Sequence, residues 1–294
     1  MKNIYSTLLP LLLLCVTLVG SSGYAQTQVI YPAPESPNDV RYNDLIEILN
    51  TALEKTRDQY GPYTAGPSAH VMNEARQQKF IEEGSPTINL FWSSTSEDKE
   101  RRLLPIRIPL RKGLLGYRIA LISKDKQALI DGIKTLDDLR KVKVGQGFGW
   151  GDVEVYKDNG IPVFTAQYDK IFNLTAKGRF DLFPRGIAEV VSEYEVNSPS
   201  LPDLAIENGL LIYYPWPYYF FFNKNDKALA ERIETGLKIM IKDGSFDAIF
   251  YKHNKAAIER ANLKNRRIIR LENHRLPKAT PLNEKHLWFD PTQN

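Results

Sequence analysis

The apolar residues of this chain recur with two periods, and each period predicts one kind of element. Apolar residues three and four positions apart predict amphipathic helices over residues 43–57 and 227–242. The apolar faces of these helices comprise Leu45, Ile48, Leu49, Ala52 and Leu53 in the first and Leu229, Ile233, Leu237, Met240 and Ile241 in the second. Short apolar runs bounded by turn-forming residues predict strands, among them 28–31, 88–92, 117–122 and 218–222.

The middle of the chain alternates between the two kinds of element. Strands are predicted at 142–144, 162–165, 180–183 and 210–214, with helices over 152–158, 168–177 and 187–194 between them. This alternation predicts an α/β fold in which mainly parallel sheets are flanked by helices. The strands at 117–122 and 218–222 each lie where one α/β unit gives way to another, which favours two lobes joined by two hinge strands, with a ligand cleft between the lobes. We therefore expect lobe one to contain residues 26–117 and 223–294, and lobe two to contain residues 118–222.

Segment 135–151 carries the strongest local signal for a binding site. Thr135 is a good helix N-cap, and Asp138 three residues later completes a start that resembles a capping box. A short strand follows, and then a glycine-rich turn in which Phe148 and Trp150 alternate with Gly147, Gly149 and Gly151. Such a turn directs free N–H groups outward, which suits an anionic or polar ligand. The turn lacks the Gly-Lys-Ser/Thr ending of a nucleotide phosphate loop.

Residues 1–25 have the pattern of a removable export signal. A positive charge at Lys2 precedes an apolar stretch, residues 8–19, that is too short to span a bilayer comfortably. Small residues before the predicted cleavage point after Ala25 favour removal, and a membrane anchor is the alternative interpretation. Cleavage would remove Cys15, the only cysteine, and would exclude disulfides and thiol chemistry from the mature protein. We expect a periplasmic protein.

The charged residues point away from several classes of function. The 39 Lys and Arg residues stand against 35 Asp and Glu residues and are interspersed with them, so no basic tail for nucleic acid is predicted. The densest basic cluster, residues 264–270, alternates with apolar residues and predicts a strand with one solvated face. The four histidines are scattered without metal-ligand spacing. We therefore expect no metal, no cofactor and no nucleic-acid partner. The protein is also expected to be a monomer.

The order of these elements resembles the type II periplasmic solute-binding proteins, and most closely the polar amino-acid branch that serves ABC transporters. The segments that carry the resemblance are 95–101 leading to Pro109, 117–124, 135–151, 180–183, 219–224 and 237–246. The last segment, with its Asp-Gly-Ser-Phe turn, is the most specific, whereas the first third of the chain matches poorly. The resemblance implies two lobes around a small-molecule ligand.

The departures from that family bear on the ligand. The resemblance implies Arg101 as the group for a ligand carboxylate, although its spacing from Thr95 is longer than usual. Where the family places an acidic residue for the ligand's amino group, this chain has Arg185. A guanidinium repels an ammonium group and holds a carboxylate or phosphate, so we expect an anionic or neutral polar ligand. Pairing of Arg185 with Asp181 or Glu189 is the alternative.

The predicted ligand-binding residues come from the strand end near residue 92, the glycine turn and the aromatic run near residue 216. They are Trp92, Ser93, Ser94, Arg101, Gly147, Phe148, Gly149, Trp150, Arg185 and Trp216. Core packing is the alternative role for Trp92, since most buried Trp residues pack.

The expected function is capture of a small polar, anionic molecule for an inner-membrane ABC permease. Two alternatives stay open. One is a periplasmic sensor that presents its ligand to a membrane receptor. The other is a dehydratase-like enzyme on the same fold, in which Glu97, Asp98 or Glu189 would act as acid or base, because a fold does not determine a function.

Overall fold

The computed structural model describes residues 26–34 and 39–291. The predicted export signal lies outside the described residues. The described chain forms two lobes, each with its own sheets and its own apolar core. None of its helices is both long enough and apolar enough to traverse a bilayer. The predicted two-lobed α/β architecture is confirmed.

Lobe one contains two small sheets. In the first, β1 (Thr27–Tyr31) pairs in parallel with β2 (Tyr63–Pro67). In the second, β11 (Tyr218–Phe222) lies between β3 (Phe91–Ser94) and β4 (Leu104–Ile106) and runs antiparallel to both. β11 was expected to be a hinge strand of lobe two, but its pairing places it inside the sheet of lobe one.

The helices of lobe one pack an apolar core against these sheets. They are α1 (Asn43–Lys55), α2 (Arg57–Tyr60), α3 (Glu74–Glu82), α4 (Glu97–Arg102) and α10 (Lys227–Asp243). Both predicted amphipathic helices are present as α1 and α10, and their apolar faces meet in one core. The two helices approach closely at Gly236, where an added Cβ would lie 2.2 Å from the carbonyl oxygen of Ala52.

Lobe two is built on a five-stranded sheet. Its main path is β12 (Arg267–Arg270), β10 (Leu210–Tyr213), β5 (Tyr117–Ser123) and β8 (Phe183–Gly186), and β9 (Leu204–Ile206) also pairs with β5. A second sheet pairs β6 (Val144–Gly147) in parallel with β7 (Val163–Ala166). The helices of this lobe are α5 (Gln127–Asp131), α6 (Leu136–Leu139), α7 (Val153–Asp158), α8 (Tyr168–Ala176) and α9 (Val190–Asn197).

The strand pairing differs from the expected mainly parallel sheets. Of the eight pairs among the described strands, three are parallel and five are antiparallel. The antiparallel pairs arise because β5 and β11 each enter a lobe from the other one and run against their neighbours. A helix between two strands predicts a parallel pair only when both strands belong to the same crossover unit.

In the described part of the chain, three connections lead from one lobe to the other. Residues 107–116 lead from β4 to β5, and residues 214–217 lead from β10 to β11. The third connection is α11 (Ser245–Ala261), whose Phe246 and Ile249 lie in the core of lobe one, whereas Phe250 and Ile258 lie in a core of lobe two. It leads to β12, which therefore belongs to the sheet of lobe two and not, as expected, to lobe one. The exact lobe boundaries stay a prediction.

The C-terminal tail, residues 271–291, touches both lobes. It begins beside β12 and donates a hydrogen bond from Asn273 to the carbonyl oxygen of Pro215, in the second connection, over 3.0 Å. Near its end, the backbone N–H of Phe289 donates to the carbonyl oxygen of Lys112, in the first connection, over 2.8 Å. The ring of Trp288 covers Gly113, where an added Cβ would lie 2.4 Å from the ring.

Candidate ligand-binding cleft

A cleft of about 1230 Å³ lies between the lobes. Lobe one contributes the start of α1, part of α3 and α4, and the end of β3. Lobe two contributes the glycine turn, β8 and α9, and the second connection adds Trp216. The site therefore draws on loops and element ends from both lobes, as expected for a molecule held between them.

The glycine turn forms one wall of the cleft. The predicted capping box is present, because the Thr135 hydroxyl accepts from the N–H of Asp138 and the Asp138 carboxylate accepts from the N–H of Thr135. After β6 ends at Gly147, the turn passes through Gly149 with φ at 78°, a conformation that glycine adopts without strain. Gly149, Trp150 and Gly151 line the cleft.

Two residues of the turn do not line the cleft. Gly147 is buried against the indole of Trp150, and an added Cβ there would lie 2.1 Å from that ring. Phe148 is exposed on the outside of lobe two. The alternation of aromatic residues and glycine therefore places Trp150 at the site and Phe148 away from it.

Of the three predicted residues at the end of β3, one lines the cleft. Trp92 is buried in the core of lobe one against Tyr31 and Tyr42, as its alternative role of core packing predicts. Ser93 is also buried, and its hydroxyl donates to Glu74 over 2.5 Å. Ser94 reaches the cleft.

Helix α4 places a lysine in the cleft and the predicted arginine outside it. Ser96 caps this helix by accepting from the N–H of Lys99. This start turns the side chain of Lys99 inward, where its ammonium group donates to Glu74 and to the carbonyl oxygen of Ser94, each over 2.8 Å, and also to Ser93. Arg101 is on the outer face, with 71% of its side chain exposed, and pairs with Asp98. Lys99 was not among the predicted site residues, because the start of this helix at the Ser96 cap was not predicted.

Arg185 lies in the cleft but already holds a carboxylate. Its Nε and Nη2 donate to the two carboxylate oxygens of Glu193 over 2.6 and 2.7 Å, and Nη2 is 3.2 Å from Glu189. Its guanidinium also lies 4.4 Å from the centre of the Trp150 ring. The Glu189 pair was among the predicted alternatives for Arg185, whereas the bidentate partner Glu193 was not foreseen.

The hydroxyl of Tyr168 completes this group. It donates to Glu193 over 2.9 Å. Burial and the nearby Glu193 carboxylate raise the pKa of Tyr168 to about 12, so the hydroxyl keeps its proton at neutral pH and remains a donor.

A further arginine, Arg118 on β5, lies at the cleft and was not predicted. It is buried, and its Nη atoms lie 3.3 Å from Asp152 and 3.8 Å from Glu189. Its Nε is buried and has no hydrogen-bond partner among the described residues. The same carboxylate oxygen of Asp152 also accepts a hydrogen bond from the hydroxyl of Tyr214 over 2.8 Å. The available signal was the single charge in the otherwise apolar stretch 117–122.

Arg111 forms a fourth cationic group, on the lobe-one side. Its Nε and Nη2 donate to the two carboxylate oxygens of Asp44 over 2.6 and 2.7 Å, and Nη2 also donates to the carbonyl oxygen of Arg41 over 2.6 Å. The guanidinium lies between the rings of Tyr42 and Tyr218, at 5.7 and 5.9 Å from their centres. This arginine ties the loop before α1 to the first connection.

The charges of the described lining residues balance. The cations are Arg41, Lys99, Arg111, Arg118 and Arg185, and the carboxylates are those of Asp44, Glu74, Asp152, Glu189 and Glu193. Burial opposes ionisation of Glu189, but the attraction of Arg185 and Arg118 and the N–H of Gly186 hold the pKa of its carboxyl below the usual range. The carboxylate therefore stays charged at neutral pH.

The remaining predicted residue, Trp216, lies in the cleft. Its ring packs edge-on against Tyr214, with ring centres 5.8 Å apart, and covers Gly151. Two of the three acids named for a dehydratase, Glu97 and Asp98, do not line the cleft, whereas Glu189 does. Among the described residues, no group of His, Cys, Asp and Glu is arranged to hold a metal ion.

The structure is similar to solved structures of binding proteins. An ancestral arginine-binding protein bound to arginine matches at a TM-score of 0.50 and 22% identity, over 78% of this chain and 97% of that one. The probable amino-acid ABC transporter extracellular-binding protein ytmK from Bacillus subtilis matches at a TM-score of 0.55 and 16% identity, over 78% and 98%.

A third similar structure is a histidine kinase sensor domain with similarity to periplasmic binding proteins. It matches at a TM-score of 0.52 and 16% identity, over 78% of this chain and 96% of that one. No protein-family model matches the chain, and no curated protein sequence does. At these identities the similarity concerns the fold. The chain has the two-lobed α/β fold of the type II periplasmic binding proteins, as its sequence resemblance predicted.

Proposed function

We propose that the protein is an exported solute-binding protein that captures a small polar, anionic molecule between its lobes and delivers it to an ABC permease. The observation that carries this proposal is the cleft of about 1230 Å³, which places charged and aromatic groups of both lobes around one space. In this proposal the protein binds its ligand and does not catalyse a reaction on it.

The cleft has equal numbers of cations and carboxylates, but two of the carboxylates are more exposed than the cations they pair with, which favours an anionic ligand. The side chains of Glu74 and Glu189 are 52% and 39% exposed, whereas those of their partners Lys99 and Arg118 are 15% and 7% exposed. The two carboxylates can therefore turn toward solvent while the cations stay fixed in the wall. An anionic group that entered the cleft would take the place of these rim carboxylates.

The similar structures support a ligand of the amino-acid class or one related to it. One was determined with bound arginine, and another ancestral arginine-binding protein was determined with bound glutamine at a TM-score of 0.50. Both ligands carry a carboxylate. In this chain the amino group of an amino-acid ligand would have to compete with Arg185 for the carboxylates of Glu189 and Glu193. We therefore expect simple carboxylates to bind better than zwitterionic amino acids.

Thermal-shift measurement tests binding directly. The purified mature protein is screened against amino acids, small carboxylates, phosphates and neutral sugars. Ligand at a hundredfold excess over its dissociation constant stabilises the folded state by about 2.7 kcal/mol. For a chain of this size that free energy raises the melting temperature by roughly 5–10 °C. If no compound of any class raises it, and native mass spectrometry finds no retained molecule, the proposal is wrong.

Export is a separate part of the proposal. The N-terminal pattern predicts that the mature chain begins at or near Gln26, and the similar extracellular-binding protein supports a location outside the cytoplasm. Mass analysis of the periplasmic fraction should find this shortened chain. Recovery of the full-length chain from the inner membrane would contradict this part.

A sensor is the second candidate function, and the similarity to a histidine kinase sensor domain favours it. Deletion of the gene distinguishes the two functions by the cellular process that is lost. Loss of uptake of the bound compound supports delivery to a permease. Unchanged uptake with a lost transcriptional response to that compound supports presentation to a receptor.

A further inference from the structure

The cationic groups of the cleft differ in how fully they are already paired. Arg111 and Arg185 each hold a carboxylate with two short hydrogen bonds of 2.6 and 2.7 Å. The ammonium group of Lys99 has three donors and uses them on Glu74, Ser93 and Ser94. Arg118 has only two long ion pairs, at 3.3 and 3.8 Å. Arg111 and Arg185 use Nε and Nη2 for their bonds, whereas Arg118 donates no short hydrogen bond to a carboxylate among the described residues. Of these four, Arg118 is therefore the one that can still offer a full pair of parallel donors to a ligand.

From this difference we infer that Arg118 binds the carboxylate of the ligand and that Glu189 occupies its place when no ligand is bound. The inference rests on the proposed function and deepens it, since it names the ligand group and the residue that recognises it. A planar guanidinium matches a carboxylate with two parallel hydrogen bonds, which the present partners of Arg118 do not supply.

The surroundings hold Arg118 ready for this role. Its backbone is fixed by the pairing of β5 with β8 on one side and β10 on the other. Its guanidinium lies 5.4 Å from the centre of the Tyr214 ring. Because its Nε is buried without a hydrogen-bond partner among the described residues, a new acceptor would relieve a group that proteins rarely leave unmet.

The two acids beside Arg118 have different roles. Asp152 is buried and is fixed by the Tyr214 hydroxyl, so it stays in place as a permanent counter-charge. Glu189 lies at the rim, and its carboxylate oxygen that faces Arg118 at 3.8 Å also accepts from the N–H of Gly186 over 3.0 Å. An incoming carboxylate therefore competes with Glu189 and leaves Asp152 undisturbed.

Isothermal titration with matched pairs of compounds tests the inference. The probes are glutarate with glutaramide, and L-arginine with agmatine, which lacks the carboxylate. The wild-type protein should bind the carboxylate of at least one pair and should bind its neutral or decarboxylated analogue at least tenfold more weakly. Arg118→Gln should weaken binding of the carboxylate by about 10- to 150-fold, the worth of a lost charge-assisted hydrogen bond.

Glu189→Gln tests the competition. It keeps the shape and the acceptor for Gly186 but removes the charge, so we expect it to tighten binding by about 2- to 5-fold, the worth of a partly exposed ion pair. Arg107→Gln is the matched control, since Arg107 pairs with Glu100 and does not line the cleft. If Arg118→Gln fails to fold, Arg118→Lys keeps the charge without the planar fork and should still weaken binding.

Three results would overturn the inference: no carboxylate of either pair binds, the analogue without the carboxylate binds equally well, or the Arg118 variants bind as the wild type does. The proposed function fails by a different result. It fails only if the wider screen and native mass spectrometry find no small molecule, charged or neutral, bound to the protein.

Discussion

Removal of the Phe289 side chain should weaken the whole fold, although this residue lies near the end of the chain. Phe289 is buried in a core of lobe two, where its ring packs edge-on against Tyr117 at 5.5 Å and lies 5.9 Å from the ring of Phe250. Its carbonyl oxygen accepts from the Tyr117 hydroxyl over 2.9 Å. The tail is therefore part of the core and not an appendage.

The expected cost follows from the size of the lost side chain. Replacement of a buried Phe by Ala typically costs about 3–5 kcal/mol through lost burial and the cavity left behind. We expect about 3 kcal/mol for Phe289→Ala, at the lower end of this range, because the backbone at residue 289 keeps its hydrogen bonds to Lys112 and Tyr117. This is a large share of the roughly 5–15 kcal/mol by which folded proteins are stable.

Urea unfolding followed by tryptophan fluorescence measures this cost. The matched control is Leu282→Ala in the same tail, since Leu282 is 49% exposed and its loss should change the free energy of unfolding by less than about 0.5 kcal/mol. Equal unfolding midpoints for the two variants would refute the packing of the tail as described. An early separate transition for Phe289→Ala would show that the tail detaches before the lobes unfold.

Two further predictions concern lobe one. Gly236→Ala should force α1 and α10 apart, because the new methyl group would meet the carbonyl oxygen of Ala52, and should destabilise the fold by about 1–3 kcal/mol in urea unfolding; Gly66→Ala, with nothing within 4 Å of its Cβ, should leave stability nearly unchanged. Hydrogen bonds from Lys55 and Ser245 hold the pKa of Asp243 at about 2, so its contribution to stability is present above its unfolded pKa and is lost as the pH falls toward 2. Lys55→Met should raise the Asp243 pKa measured by NMR titration, and an unchanged value would contradict the Lys55 contact.

Periodicity predicted the helices well because burial of an apolar face is a local property. Helices α1 and α10 follow directly from their apolar spacing, and the alternation near residue 268 predicted β12. The partner of β12 was not predictable in this way. The residues of a strand show which of its faces is apolar, but they do not show which strand it will pair with. The sequence alone therefore assigned β12 to the wrong lobe.

The candidate site was predicted in part for a similar reason. Three predicted residues line the cleft because they lie at the end of an element or between elements: Trp150 in the turn after β6, Arg185 near the end of β8, and Trp216 in the second connection. Lys99 lies in the cleft where Arg101 was expected. Helix positions that are two residues apart point more than half a turn away from each other, so the position of the N-cap decides which of the two side chains faces the cleft. Arg185 on β8 pairs with Glu193 on α9, a contact that the spacing of the two residues in the sequence did not predict.

The position of β12 also determines when lobe two can be completed. Its sheet needs residues 267–270 beside β10, so a growing chain that has already passed residue 222 still lacks one strand of that sheet. Contacts between distant parts of a chain form slowly because the intervening loop must close first. Lobe two should therefore stay incomplete until residues 267–270 have been synthesised, and β12, at the edge of the sheet, should be the last of its strands to join.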